Sequence, residues 1–159
     1  MMQQSTQISE HFTRDEWDCN CCGQYVVKVT LVEMAEKFRN YLCEKYKKDV
    51  PLDIHCVCRC KKHNEELTIE LCRACGNIVR GGYVYVCPRC GSKNVIHQGA
   101  VENSEHCHDN AIDAGAIGIT VAELHESARE CHKFGGILCG GLGIYPWGIH
   151  FDICSFRRW

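Results

Sequence analysis

The sequence lacks three features that would place the protein in a membrane, in the secretory route or on nucleic acid. No stretch approaches the roughly 18 consecutive apolar residues of a membrane-spanning helix, so we expect no membrane partner. Residues 1–10 (MMQQSTQISE) contain no basic segment, no apolar segment and no small-residue cleavage site. We therefore expect cytoplasmic synthesis without a signal peptide. The formal net charge is only −2, which gives no electrostatic reason to expect a nucleic-acid partner.

Cysteine, in contrast, is abundant: the 159 residues include 15 cysteines and 9 histidines. Such a composition occurs in secreted disulfide scaffolds and in intracellular metal-binding proteins. The N-terminal residues argue against the first class, and an odd number of cysteines leaves at least one unpaired in any all-disulfide arrangement. We therefore predict that some cysteines bind metal and that the others are small buried apolar residues.

Apolar periodicity predicts two main helices. The first covers about residues 31–48, where apolar residues recur at intervals of three and four. Its start is indicated by Thr30 and Glu33, which have the spacing of a capping box. Thr120 and Glu123 repeat that spacing and predict the start of the second helix.

Between these helices the sequence predicts strands and irregular segments. Residues 11–30 (HFTRDEWDCNCCGQYVVKVT) are interpreted as an irregular entry segment. Residues 50–55 are predicted to form a short strand, and the apolar residues 111–119 a buried strand and turn. Residues 149–154 alternate in the period-2 pattern of a half-buried strand.

Two Cys-x-x-Cys pairs, CRAC and CPRC, are separated by eleven residues. Each pair makes a tight knuckle, and two knuckles close a four-thiolate site that suits a structural zinc ion at Cys72, Cys75, Cys87 and Cys90. The intervening GGYVYV (81–86) is predicted to supply a turn and a strand of a hairpin. A redox dithiol pair and nucleic-acid binding through nearby basic residues are the alternatives.

A second set of candidate ligands contains no cysteine. His106 and Asp113 lie seven positions apart, around a predicted turn into a strand. His150 lies on the polar face of the predicted strand 149–154. Two histidines and a carboxylate form a normal three-ligand catalytic zinc set, which leaves the fourth position for water.

Four motifs around these residues resemble, in order, those of the zinc D-alanyl-D-alanine carboxypeptidase family of metallopeptidases, closest to its small phage-type members. The opening HFTRDEWDCNCCG is similar to HFSxxEFxCxCCG, and PLDIHCVCRCKKHN (51–64) is similar to PxxIxSGYRCxxHN. Ser104-x-His106 followed by Ala111-x-Asp113 resembles SxHxxGxAxD, although Asp109 replaces its glycine. The ending GGLGIYPWGIHFD resembles that of the same group. The likeness covers nearly the whole chain except about residues 66–97.

The resemblance implies a role for each matched residue. His106, Asp113 and His150 would be the catalytic zinc ligands. Arg59 falls on the arginine of SGYR, which in the family binds the substrate carboxylate or polarises the scissile carbonyl. In this chain Cys56, Val57 and Cys58 replace the residues SGY that precede that arginine.

Two further roles are predicted near the last ligand. Tyr145, five positions before His150, is expected to help stabilise an oxyanion, because a phenol can hydrogen-bond a tetrahedral intermediate. Asp152 is expected to support a zinc ligand from behind. Trp147 stands where related peptidases carry an acidic residue.

The resemblance also implies a fold and a substrate. The expected fold is α+β: a small antiparallel sheet with two main helices, as in the D-Ala-D-Ala carboxypeptidase and hedgehog-like zinc peptidases. Residues 1–65 and 98–159 would form this peptidase domain, and residues 66–97 an inserted zinc ribbon. The implied reaction is hydrolysis of stem peptides of bacterial peptidoglycan, by a phage-encoded enzyme that reaches the cell wall after release.

Two questions stay open from the sequence. The crowded thiols of Cys19, Cys21, Cys22 and Cys60 are either a possible third metal site or buried or free cysteines. The competing hypothesis for function is a catalytically inactive zinc module, in which the scaffold and the ribbon bind protein or nucleic acid.

Overall fold

The computed structural model describes residues 6–101, 103–133 and 135–159, so residues 1–5 of the predicted 1–65 unit lie outside it. Within the described residues the α-helices are α1 Arg14–Trp17, α2 Val29–Tyr46, α3 Lys61–Glu66 and α4 Val121–Cys131. A short 3₁₀ helix covers Glu105–His108. The strands are β1 Leu52–Cys56, β2 Thr68–Cys72, β3 Ile78–Arg80, β4 Val95–Gly99, β5 Ala111–Ala116, β6 Gly141–Tyr145, β7 Gly148–Asp152 and β8 Arg157–Arg158.

The larger sheet has five strands in the order β1-β5-β7-β6-β8. Its pairs are antiparallel except for β6 and β8, which are parallel. Every residue of β7 is buried. Phe151 of β7 packs edge-on against Phe38 of α2, with ring centroids 6.0 Å apart. Because side chains alternate across a strand, His150 and Asp152 point to the other face of the sheet.

The two long helices, α2 and α4, lie side by side on the sheet. Tyr46 at the end of α2 donates a hydrogen bond to the carbonyl of Glu123 at 3.1 Å, and Lys45 pairs with Glu130 at 2.7 Å. The predicted α+β class, with a small sheet and two main helices, is therefore confirmed. No helix in the described part of the chain is both long and apolar enough to cross a bilayer.

The predicted capping box is present in α4 but not in α2. In α4 the Thr120 hydroxyl accepts from the Glu123 N–H at 3.2 Å, and the Glu123 carboxylate accepts from the Thr120 N–H at 2.7 Å. Helix α2, however, begins at Val29 with Lys28 as its N-cap, so the prediction that Thr30 caps it was wrong. Lys28 is held there because its ammonium group donates to the carbonyl of His108 at 2.7 Å.

The entry segment 11–30 is more ordered than predicted, because it contains α1. The Glu16 carboxylate accepts a hydrogen bond from the Thr13 N–H at 2.7 Å at the start of this helix. Trp17 at its end is fully buried and lies against Phe12, with ring centroids 5.3 Å apart. The segment therefore contributes to the core.

The smaller sheet has the strand order β3-β2-β4 and covers residues 68–99, compared with the predicted ribbon 66–97. The predicted strand in GGYVYV is absent: within 81–86, all described, the chain forms bends. Gly81 and Gly82 have φ of 75° and 101° and donate to the carbonyls of Thr68 and Glu65 at 3.1 and 3.0 Å. These bonds attach the two glycines to the start of β2 and the end of α3.

Candidate metal centre and cleft

The sheet register brings two of the three predicted ligands together. Asp113 of β5 and His150 of β7 are directly paired neighbours, so their side chains share one face of the sheet. His106 comes from the 3₁₀ helix that precedes β5. That helix ends at Asp109, whose φ of 55° is a left-handed conformation. Glycine adopts this conformation most readily and aspartate tolerates it, so the turn survives the replacement noted in the sequence.

Asp113 lies between the two imidazole rings. Its Oδ1 is 2.8 Å from Nδ1 of His150, and its Oδ2 is 3.1 Å from Nε2 of His106. On the far side of each ring a second partner fixes the orientation. Nδ1 of His106 donates to the carbonyl of Val57 at 3.0 Å, and Nε2 of His150 lies 3.4 Å from Oδ2 of Asp152.

Two of the three predicted ligands, His106 and Asp113, belong to a group of donors that could hold a metal ion, whereas His150 lies outside that group. Nε2 of His106 and Nε2 of His150 are buried, and neither makes a hydrogen bond of good geometry, although carboxylate oxygens lie 3.1 and 3.4 Å away. Nitrogen and oxygen ligands ~2.0–2.2 Å from one zinc ion stand about 3.3 Å apart in a tetrahedron. The separations of 2.8 and 3.1 Å around Asp113 are close to that value, but they involve different oxygens of Asp113 and are also ordinary hydrogen-bond distances.

The electrostatics of the centre are dominated by Asp113. Burial opposes its ionisation, but hydrogen bonds to His106 and His150 outweigh burial and hold the pKa of Asp113 far below its usual range. Burial disfavours a charged His106, yet bonding to Asp113 and Cys56 raises the pKa of His106 to about 10. A metal ion that binds His106 at neutral pH therefore displaces a proton.

Cys56 is a potential ligand that the sequence analysis treated only as a departure from a motif. Donor atoms of Cys56, His106 and Asp113 all lie within 4.8 Å of one another and could hold a metal ion. An irregularity in the pairing of β1 with β5 places Cys56 opposite Asp113. The sequence signal that could have identified Cys56 was its position, three residues before Arg59.

Arg59 lies beside this centre. Its backbone N–H donates to the carbonyl of His106 at 3.1 Å, and one terminal nitrogen donates to Oδ1 of Asn64 at 3.2 Å. The other terminal nitrogen is 3.5 Å from the Cys56 sulfur and 3.7 Å from Oδ2 of Asp113. Nε of Arg59 is buried without a partner. The guanidinium group is therefore fixed at the centre with donors to spare.

A cleft of about 580 Å³ opens over the centre. The predicted site residues that line it are His106, Asp113, His150, Arg59 and Tyr145. Aromatic and charged residues that the sequence analysis did not assign complete its walls, among them Trp147, Trp159, Glu105 and Arg157.

Tyr145 and Asp152 occupy different positions relative to the cleft. The Tyr145 ring stacks on Trp147 with centroids 5.0 Å apart, and its oxygen accepts a hydrogen bond from the Trp159 indole at 2.9 Å. Asp152 is fully buried and absent from the cleft lining. Its carboxylate accepts from the N–H of Gly141 at 2.8 Å and from Arg157 at 2.8 Å. Asp152 can thus orient His150 but does not face a substrate.

The ribbon cysteines form a compact group. The sulfurs of Cys72 and Cys90 are 3.6 Å apart, and those of Cys75 and Cys87 are 3.7 Å apart. Thiolates ~2.3 Å from one zinc ion are separated by about 3.8 Å in a tetrahedron. This four-cysteine group could hold a metal ion.

A second cysteine group lies at the N-terminal segment. The sulfurs of Cys19, Cys22 and Cys60 lie within 4.8 Å of one another and could hold a metal ion. Cys21, which the sequence analysis placed in the same cluster, is exposed and outside this group.

Comparison of the chain with protein-family models, with curated proteins and with solved structures finds no match. Function therefore has to be inferred from the chemistry of the site.

Proposed function

We propose that the chain is a zinc-dependent peptidase that hydrolyses stem peptides of bacterial peptidoglycan, as a D-Ala-D-Ala carboxypeptidase or as an endopeptidase. The observation that carries this proposal is the convergence of His106, Asp113 and His150 beside Arg59 in one cleft. The order of the four sequence motifs supports the same activity, and with it the specific peptidase fold.

His106, Asp113 and His150 would hold the zinc ion. Bound zinc supplies a Lewis acid that lowers the pKa of water and polarises a carbonyl oxygen. Because Val57 and Asp113 hold the two histidine rings in place before any metal arrives, little reorganisation accompanies binding.

Two cleft residues are suited to bind the substrate. Arg59 presents a charged, fork-shaped donor group that matches the terminal carboxylate of a D-Ala-D-Ala peptide or its scissile carbonyl. Tyr145 accepts from the Trp159 indole, so its own O–H proton is available to a developing oxyanion. Asp152, behind His150, positions that ring rather than meeting the substrate.

The experiment is to incubate the zinc-loaded protein with purified peptidoglycan fragments and to read the products by mass spectrometry. Loss of a terminal alanine identifies carboxypeptidase action, and internal cleavage identifies endopeptidase action. His106→Ala should abolish hydrolysis, whereas His108→Ala, an exposed neighbour in the same 3₁₀ helix, should leave it intact. Zinc-loaded protein that yields no product from any fragment would contradict the proposal.

A second candidate function follows from Cys56. If its thiolate completes the coordination with His106 and Asp113, the centre is closed and the protein is a non-catalytic zinc module that binds protein or nucleic acid. Cobalt substitution separates the two, because a thiolate ligand gives an intense charge-transfer absorption. The other cysteine groups contribute to the same absorption, so the readout is the difference between wild type and Cys56→Ser. The closed centre predicts a weaker band and one equivalent of metal less in Cys56→Ser. The peptidase predicts an unchanged band, retained metal and turnover.

A further inference from the structure

The two knuckles of the ribbon share one hydrogen-bond pattern. In the first knuckle the Cys72 N–H donates to the carbonyl of Asn77 at 2.9 Å, and the Gly76 N–H donates to the carbonyl of Cys72 at 2.8 Å. Gly76 has φ of 70°. The second knuckle, at 87–92, repeats both bonds at 2.8 Å. Such a turn aims two thiols and several N–H groups at one point, which suits metal binding.

The same pattern occurs a third time, far from the ribbon in sequence. The Cys19 N–H donates to the carbonyl of Gln24 at 2.8 Å, and the Gly23 N–H donates to the carbonyl of Cys19 at 2.8 Å. Gly23 has φ of 67°, within a few degrees of the glycine in each ribbon knuckle. Cys19 and Cys22 therefore form a knuckle built like the two that make the four-cysteine site.

A Cys-x-x-His pair faces this third knuckle. The Cys60 N–H donates to the Cys19 sulfur at 3.3 Å, and the Cys60 sulfur accepts from the His63 N–H at 3.4 Å. Nδ1 of His63 is 3.9 Å from the Cys19 sulfur. The sulfurs of Cys19, Cys22 and Cys60 lie within 4.8 Å of one another. His63 lies outside that group of three, and its closest approach is the one to the Cys19 sulfur.

We propose that Cys19, Cys22, Cys60 and His63 bind a structural zinc ion, with three sulfur ligands and one nitrogen ligand. In place of Cys21, which lies outside the three-cysteine group, the assignment takes His63, whose Nδ1 is 3.9 Å from the Cys19 sulfur. It does not depend on the peptidase activity, because none of the four side chains lines the cleft.

The ion would join two segments that are weak on their own. Helix α3 has six residues, too few to persist without tertiary support, and residues 18–28 contain no regular element. Cys60 directly follows Arg59, so the same ion would fix the backbone that carries the cleft arginine. Binding energy at such a site is folding energy for the segments it joins.

The test is to replace zinc with cadmium-113 in the full-length protein and to count thiolate-rich sites by NMR. We expect two such signals: the four-thiolate signal of the ribbon and a second signal at lower shift, as three sulfurs and one nitrogen produce. Cys22→Ser should remove the second signal and one equivalent of metal. His63→Cys should keep the metal and move that signal towards the ribbon position.

Two variants serve as controls. Cys139→Ser, at an exposed position distant in sequence from all four ligands, and Cys21→Ser should both retain the two signals. A single thiolate-rich signal in the wild-type protein overturns the proposal, even if Cys22→Ser does not fold. Loss of the second signal in Cys21→Ser but not in Cys22→Ser overturns the ligand assignment.

Discussion

Asp113 holds two imidazoles at once, with one carboxylate oxygen directed at each ring. Without the negative charge of Asp113, no group between the neighbouring rings of His106 and His150 would compensate positive charge on them. The Val57 carbonyl accepts from Nδ1–H of His106 and so keeps Nε2 facing Asp113. At the scale of single residues, the centre is therefore arranged by backbone and carboxylate contacts before any ion binds.

Arg59→Lys tests the proposed grip on the substrate. Lysine keeps the positive charge but loses the planar fork that spans Cys56, Asp113 and Asn64. We expect kcat/KM on peptidoglycan fragments to fall at least tenfold, which corresponds to about 1.4 kcal/mol of transition-state stabilisation. Hydrolysis rates, zinc content and a thermal melt of the same samples provide the measurement.

The matched control for this substitution is Arg80→Lys, at an exposed position of β3. It should leave turnover, zinc content and melting temperature unchanged. If Arg59→Lys hydrolyses its substrate at the wild-type rate, Arg59 does not bind the substrate carboxylate.

Glu36 provides a pH-dependent contribution to stability. Burial opposes its ionisation, but contacts with the Ser9 hydroxyl and hydrogen bonds from His11 outweigh burial and lower the pKa of Glu36 from 4.5. A lowered carboxyl pKa stabilises the fold above the unfolded-state value, and the contribution disappears as the pH falls through the folded-state value. We expect Glu36→Gln to cost about 1 kcal/mol in the free energy of unfolding at pH 7, and the cost to shrink below pH 4.5.

Denaturant titrations of both proteins between pH 3 and pH 7 provide the measurement. Glu33→Gln, an exposed position on the same helix, should match the wild type throughout. A stability difference between wild type and Glu36→Gln that is constant over this pH range would exclude the charged contact with His11.

At the scale of elements, the spacing of capping residues does not by itself determine where a helix starts, because tertiary contacts also decide it. Thr13–Glu16 and Thr120–Glu123 form reciprocal capping contacts. Thr30–Glu33 has the same spacing but lies inside α2, because Lys28 is anchored to the carbonyl of His108 and the helix starts one residue after it. A capping signal shows that a helix can start, whereas a contact 80 residues away determines where this one does.

The pair Thr120→Ala and Thr30→Ala tests this difference directly. Thr120→Ala removes an N-cap and should cost about 1 kcal/mol, seen as a melting temperature lower by about 2 to 4 °C for a chain of this size. Thr30→Ala removes no cap, and because alanine favours helix, the melting temperature should stay equal or rise slightly. Equal losses in the two variants would contradict the assigned start of α2.

The strand predicted within GGYVYV is absent for a similar reason. GGYVYV has strand-forming residues, but the Tyr83 oxygen accepts a hydrogen bond from Asn64 of α3 at 2.7 Å, and its ring stacks on His97 at 5.8 Å. Tyr83 thus joins the ribbon to the rest of the protein. Propensity describes the residue, whereas this contact depends on where α3 lies.

At the scale of the whole molecule, Asp113 and His150 lie close together because β5 and β7 are adjacent and in register. That adjacency was available only through motif order, since 36 residues separate Asp113 from His150. Cys56 was not recognised as a neighbour, because its position depends on an irregularity in β1 pairing that no sequence pattern predicts. The sequence thus predicted the candidate ligands, but it did not predict which other residues line the walls of the cleft.

The candidate metal centres differ in their ligands, so we expect them to lose metal in stages. A dilute chelator should first strip the His106, Asp113 and His150 centre, because it faces the cleft and would lack a thiolate ligand, whereas thiolate sites resist until a mercurial modifies their sulfurs. Hydrolysis should stop at the first stage with far-ultraviolet circular dichroism unchanged, and should return when zinc is added back.

Cys72→Ser should lose one equivalent of zinc and some stability but keep measurable hydrolysis, since the ribbon supplies no ligand to the cleft centre. Zinc counted alongside activity at each stage is the measurement, with Cys139→Ser as the control for thiol loss. Hydrolysis that survives removal of the labile zinc would rule out a catalytic metal at this centre.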